Sequence, residues 1–258
     1  MQPAVVVTGA SSGLGTEFAR LAVAEGSKTV LIARNMADLE RLAAEIDSSG
    51  QLTVAFGVDL SAADAGDTIA RELNARGLYC HTLINNAGFG LFGDAVELDR
   101  GRQLGMIAVN IRAVTDLMLR FLPDMIERKA GRILNVASVA GFAPGPQMAV
   151  YFASKAYLVS LSQALMEEAR GTGVTVTCLC PGPPRTPFLD RAGARPVRLF
   201  KLLRKLPVDE VARSGWEAMK AGRTLCVPGI GTRAAIAATR FVPRGLVLAM
   251  MVRLQRGR

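Results

Sequence analysis

Apolar runs and helical patterns alternate along this chain. "AVVVTG" is followed by a helical stretch from about Leu14 to Glu25, and "TVLIAR" by "ADLERLAAEI". "LTVAFGVDL" precedes "AADAGDTIARELNARG", and "HTLINNAG" precedes a long helical region from about Asp99 to Lys129. "GRILNVASV" leads into a helix beginning near Tyr151. "VTVTCLCPG" leads through a Pro-rich loop to "VDEVARSGWEAMKAG" and the short run "TLCVPG". The strand runs are continuously apolar rather than alternating, as expected of strands covered on both faces. Repeated strand-helix units predict an α/β fold: a doubly wound parallel sheet of about seven strands with helices on both faces.

No linker, repeat or low-complexity stretch divides the pattern, so residues 1–230 read as one domain and 231–258 as a C-terminal tail. At 258 residues, half of them apolar, the chain can build a sizeable core. Its first strand pattern starts beside Met1, which leads us to expect no signal peptide and a cytoplasmic protein, with a peripheral membrane contact as an option raised by the tail. Cys178 and Cys180 share one face of a strand, and they and Cys80 and Cys226 read as small buried apolar residues. The single histidine, His81, cannot by itself supply a metal site or a serine-histidine triad, so no metal is expected. No nucleic-acid partner is expected either. The charge is uneven: residues 195–258 hold 14 Lys/Arg and 3 Asp/Glu, whereas residues 1–194 hold 17 and 19.

Four strand ends carry candidate chemistry. The first runs into "TGASSGLG", where Gly9, Gly13 and Gly15 allow a tight turn and let a pyrophosphate approach a helix N-terminus. The second ends "LIARN". An acidic residue there would bind a ribose 2′-hydroxyl, but this chain has Arg34, which suits a 2′-phosphate. The third ends at Asp59-Leu60, placed to flank an adenine or to cap a helix. The fourth ends "NNAG", residues 85–88, whose polar pair and glycine suit close approach to a cofactor. Tyr151 and Lys155 lie one helical turn apart and share a face. Alone, such a pair is often only a solvated surface feature.

Taken in order, "TGASSGLG", "NNAG", Asn110 in "VNIRA", Ser138 in "NVASVAG", Tyr151-x-x-x-Lys155 and "PG" at 181–182 resemble the short-chain dehydrogenase/reductase family. The resemblance covers about residues 3–230, and "GFGLFGDAVELD" and "VPG" resemble its NADP-dependent acyl- and ketone-reducing members. It implies a Rossmann-like fold and a hydride transfer between NADP(H), preferred over NAD(H), and a carbonyl or secondary alcohol. It implies cofactor contacts from Gly9, Ser11, Ser12, Gly13, Leu14 and Gly15, from Arg34, Asp59 and Leu60, and from Asn86, Ala87 and Gly88. Pro181, Gly182 and Thr186 would complete them near the nicotinamide. Ser138 would hold the substrate oxygen, Tyr151 would supply the proton, Lys155 would also bind the nicotinamide ribose, and Asn110 would hold a water.

A free tyrosine has a pKa of about 10, and a positive charge at about 4 Å can lower it by roughly three units. Lys155 is therefore expected to acidify Tyr151. The substrate loop is expected at about 183–206, where Phe188, Leu189, Val197, Leu199 and Phe200 suggest an apolar pocket. Arg191, Arg195 and Arg198 there could meet an anionic group, as on a thioester substrate. A non-catalytic NADP(H)-binding sensor is the alternative reading, which the intact Ser-Tyr-Lys set disfavours. The family's habits imply a homodimer or homotetramer, expected here through Leu117, Leu122, Leu158, Leu161 and Leu165. In the tail, Phe241, Leu246, Leu248, Met250, Met251 and Leu254 stand among Arg240, Arg244, Arg253, Arg256 and Arg258. That mixture is expected either to make weak contact with an anionic membrane surface or to pack on the domain.

Overall fold

The structure is a computed structural model, and it describes residues 1–182, 206–239 and 241–256. Most of the expected substrate loop, Thr186, Arg240 and Arg258 therefore lie outside the described residues. Seven parallel strands form one sheet in the order β3-β2-β1-β4-β5-β6-β7. They are β1 (Gln2–Thr8), β2 (Thr29–Ala33), β3 (Thr53–Gly57), β4 (Leu78–Asn85), β5 (Gly131–Val136), β6 (Val174–Leu179) and β7 (Leu225–Cys226). The central registers set Val6 beside Val30 on one side and beside Leu83 on the other. Both faces of these strands are covered, which is why their sequences show no alternation.

The helices are α1 (Leu14–Ala24), α2 (Met36–Ile46), α3 (Ala65–Ala75), α4 (Arg100–Ile107), α5 (Val114–Glu127), α6 (Ala149–Glu168), α7 (Val208–Lys220), α8 (Ile230–Thr239) and α9 (Arg244–Arg256). One apolar cluster joins the sheet to α3, α5 and α6, and another joins it to α1, α2 and α7. The strand order reverses between β1 and β4. Their carboxyl ends, Thr8 and Asn85, thus open a crevice where an α/β sheet characteristically binds its ligand.

Several elements differ from the sequence expectation. The fourth strand starts at Leu78, three residues before "HTLIN". The long helix is interrupted by a π-helical segment, Ala108–Ala113, that contains Asn110. Leu117, Leu122, Leu158 and Leu165 are buried against the sheet, so they cannot form an outward pairing face. Leu161 is only partly buried but packs on the same core. These helices are apolar over a wide arc, and sequence alone did not separate the inner arc from the outer. The outward apolar side chains are Leu104, Ile107, Leu119, Ile126 and Tyr157. The tail is helical, as α8 and α9, and is divided in its duties. Val247 and Met251 are buried while Phe241, Leu246, Leu248 and Met250 are exposed. No helix among the described residues is long and apolar enough to cross a membrane.

Candidate active site

The turn after β1 is shaped by its glycines. Gly9 has φ 66°, and a Cβ there would stand 2.9 Å from the Cα of Ala87. Gly13 has φ 62° and precedes α1. Gly15 has a different duty: a Cβ would meet the carbonyl oxygen of Gly9 at 2.2 Å, so this glycine lets α1 lie close against the turn. The "NNAG" end of β4 is stapled to this turn. Thr8 Oγ1 accepts from the backbone N–H groups of Asn86 (3.0 Å) and Ala87 (3.1 Å), and Asn86 Nδ2 donates to the carbonyls of Thr8 (3.0 Å) and Gly9 (3.1 Å). Asn85 lies inward, donating to Asn135 at 2.9 Å in the sheet core. The motif thus joins the first and second halves of the fold at the crevice.

A single cavity of about 890 Å³ runs along the carboxyl edge of the sheet. It is lined by Gly9, Ser11, Ser12, Gly13 and Leu14 from the first turn, by Arg34, and by Asp59 and Leu60. Asn86, Ala87 and Gly88 follow, then Ser138, Tyr151, Lys155, Pro181 and Gly182. Of the residues expected at the site, Gly15 and Asn110 do not line it, and Thr186 lies outside the described residues. Arg34 stands exposed at the end of β2. Among the described residues it has no hydrogen bond or ion pair, only an electrostatic influence on Asp59. The Asp59 carboxylate accepts from Ser61 N (2.9 Å) and Oγ (2.8 Å), which lowers its pKa, so it closes the turn after β3 as well as lining the cavity.

At the other end, Ser138 follows β5. Its Oγ accepts from Ala140 N at 3.1 Å, capping a short 3₁₀ turn, and it also hydrogen-bonds the Tyr151 hydroxyl. Lys155 Nζ donates to Val136 O at 2.8 Å and stands 5.8 Å from the centre of the Tyr151 ring. Asn110 is fully buried. Its Oδ1 accepts from Phe89 N (3.1 Å), and its Nδ2 donates to Phe89 O (3.0 Å) and Ser154 Oγ (3.1 Å). A Cβ on Gly88 would stand 3.0 Å from Asn110 Oδ1 and 3.5 Å from Lys155 Nζ, so only glycine leaves this corner open.

The electrostatics correct one expectation. Lys155 does not acidify Tyr151 in the protein alone. Burial pushes the phenol up to about 12, against the hydrogen bond with Ser138, which lowers it. Burial also brings Lys155 down to about 8, opposed by the neighbouring Cys178 and Cys180 sulfurs. Both groups are desolvated together, and desolvation disfavours the charged form of each.

The cavity has further walls to which the sequence reading assigned no role. Phe89, Arg102, Val109, Val139, Met148 and Met251 also line it. The first of these follows "NNAG" directly, a signal that could have been extended. Met251 comes from the tail, about 100 residues beyond Tyr151, and carries no local signal.

The profile described as short chain dehydrogenase matches residues 3–196. An uncharacterized oxidoreductase of Myxococcus xanthus is 36% identical over 177 residues, covering 69% of this chain and 70% of that protein. A very-long-chain 3-oxoacyl-CoA reductase of Laccaria bicolor is 36% identical over 174 residues, 66% of this chain but only 52% of the relative. Among solved structures, a short-chain dehydrogenase from Sphingobium yanoikuyae in complex with NADPH superposes with a TM-score of 0.82 at 30% identity, over 99% of this chain and 98% of that one. A short chain dehydrogenase/reductase from Burkholderia phymatum in complex with NAD gives 0.80 at 29%, over 96% and 95%. A glycine turn stapled to "NNAG", a serine bonded to a tyrosine, and a lysine one turn further all open on one cavity, and these likenesses run through them: the chain is an oxidoreductase of the short-chain dehydrogenase/reductase family.

Proposed function

We propose that the protein is an NADP(H)-dependent oxidoreductase that interconverts a ketone or aldehyde and its alcohol, on a hydrophobic or acyl substrate. The observation that carries this reading is the hydrogen-bonded Ser138–Tyr151 pair, with Lys155, at one end of a cavity whose other end is a glycine turn beside Arg34, which has no ion pair among the described residues. The residues fit a nicotinamide dinucleotide. A side chain at Gly9 would collide with Ala87 and one at Gly88 would crowd Asn110, and among the described residues Lys155 keeps two of its three N–H donors after bonding Val136. When bound, the cofactor supplies or accepts the hydride at the carbonyl carbon.

The chain's own residues handle the proton and the positioning. In reduction, Tyr151 gives its hydroxyl proton to the carbonyl oxygen as negative charge develops there. With its pKa raised to about 12, the tyrosine is loaded as a donor throughout the neutral range. Ser138 holds the same oxygen, because its Oγ is already oriented by Ala140 N. Lys155 holds the nicotinamide ribose and its positive charge favours the transient phenolate. Asn110, whose side chain is held by Phe89 and Ser154, braces the corner that Gly88 shares with Lys155. Arg34 takes the 2′-phosphate, since among the described residues its guanidinium is not committed to a carboxylate. A cofactor sensor would have no use for an oriented proton donor.

The outward Leu104, Ile107, Leu119 and Tyr157 on α4–α6 support a homodimer formed about a two-fold axis. The function is tested with a panel of ketones, aldehydes and 3-oxoacyl thioesters, following loss of NADPH and, separately, of NADH. Turnover of at least one member with NADPH preferred is expected. No turnover of any, with NADPH bound, would overturn the catalytic reading. Equal Michaelis constants for the two cofactors would overturn the preference.

A further inference from the structure

Helix α9 lies beyond residue 196, where the family match ends. We propose that α9 is the wall of the substrate subsite, which takes a carbonyl compound bearing a hydrocarbon chain or ring beside the reacting carbon. The proposal deepens the reading above and rests on it. Val247 and Met251 are one helical turn apart and only 5% and 6% exposed. They share an apolar cluster with Leu91, Met148, Tyr151 and Phe152. Met251 lines the cavity into which Ser138 and Tyr151 open.

The opposite side of this subsite is fixed in place. Gly93 N donates to Gln147 O at 2.8 Å, and Gln147 adopts φ 62° just before Met148. Gly145 lies so close to Phe152 that a Cβ would stand 2.2 Å from the ring. Met148 and Phe152 thus face the cavity from a braced loop and from the catalytic helix, with Met251 closing the cluster. Among the described residues the lining combines the polar Ser138 and Lys155 with the apolar Met148, Phe152 and Met251, and Arg102 lines the same cavity. A hydrocarbon substituent matches this lining, and a methionine wall adapts to more than one shape.

The test uses the full chain and a series of methyl ketones of increasing length, with NADPH binding followed by fluorescence. Met251→Trp is expected to lower kcat/KM for the longest ketones about tenfold or more relative to the shortest. Met251→Ala should move the optimum to longer or branched ketones, and Met251→Leu should leave the profile in place. NADPH affinity should change in none of them. A length profile unmoved by the Trp and Ala variants, or all ketones scaled by one factor, would overturn the proposal while leaving turnover of the short ketones, and hence the functional reading, intact.

The outer side of the same helices carries an independent signal. Phe241 is 89% exposed and Leu246 63%, Met250 is also exposed, and so are Arg233, Arg244 and Arg253 of the same C-terminal segment. No Asp or Glu follows Glu217 anywhere in the chain. We infer that this face rests on an anionic lipid bilayer, whose charge complements it and whose interface accepts the apolar side chains. Co-sedimentation with phosphatidylcholine vesicles containing phosphatidylglycerol is expected at low salt, weaker at high salt and weaker still with phosphatidylcholine alone. The variant F241S/L246S/M250S should lose vesicle binding and keep ketone turnover. Absence of binding to the anionic vesicles at low salt would overturn the inference, as would binding unchanged in the variant. A variant that instead turns a dimer into a monomer by light scattering would assign the face to a second copy and overturn it too.

Discussion

The two ends of the cavity are built by different physics. The end proposed to take the cofactor is made of backbone: glycines at a turn and a threonine-asparagine staple between β1 and β4. The end proposed to take the substrate is made of side chains, Met148, Phe152 and, from the tail, Met251. Close approach to backbone leaves few residue types that fit, so one wrong atom is costly. An apolar wall can be assembled from many side chains, so a change there alters shape more than existence. Substitutions at the two ends should therefore fail in different ways.

The largest effect is expected where the ends meet. Tyr151→Phe removes the proton donor and should lower kcat by about 10²–10⁴-fold, while NADPH binds nearly as before. Near-parental turnover in a steady-state assay would refute the assigned role. At the cofactor end, Gly9→Ala places a side chain at positive φ against Ala87, and should cost about 2 kcal/mol of stability with loss of NADPH binding. Thermal unfolding with and without NADPH checks both. Met251→Ala, by contrast, should leave NADPH binding unchanged.

A milder effect is expected from Arg34→Asp, which should weaken NADPH binding about 10–100-fold with little change for NADH. Titration of each cofactor sharpens the comparison by showing whether one side chain sets the choice. The pH dependence follows from Lys155. Its pKa is lowered to about 8, so it is cationic below that value and neutral above it. NADPH affinity and reduction rate should be level below about pH 8 and fall as pH rises through it, with no limb from Tyr151 until far more alkaline. A pH–rate profile checks this, and Lys155→Met should remove the fall along with most of the activity.

The smallest effect concerns Gln255, which is buried on the stripe of α9 that includes Val247 and Met251. Among the described residues, neither of its side-chain amide atoms has a hydrogen-bond partner. Replacing it by leucine removes an uncompensated polar group and should raise stability by about 1 kcal/mol. A destabilised variant in chemical denaturation would show that the amide has a role the apolar wall does not supply.

The sequence by itself determined the sheet, its parallel order of elements and most of the residues that line the glycine-turn end of the cavity. Val and Ile runs without alternation can only be buried on both faces. Glycines at strand ends and a Tyr-Lys pair four residues apart are local patterns, so they are legible without folding the chain. The charge at Arg34 was legible for the same reason. Tertiary structure decided what depends on distance between remote segments. It turned Leu117 and Leu158 inward and left Leu119 and Tyr157 outward, because a helix apolar over a wide arc does not name its inner face. It spent the Asn110 side chain on Phe89 and Ser154. It raised the Tyr151 pKa, because burial is a property of everything around a group and here outweighs the hydrogen bond with Ser138. And it brought Met251 to the catalytic cleft, where an apolar wall asks only for contact and volume and so leaves no spacing in the sequence to read.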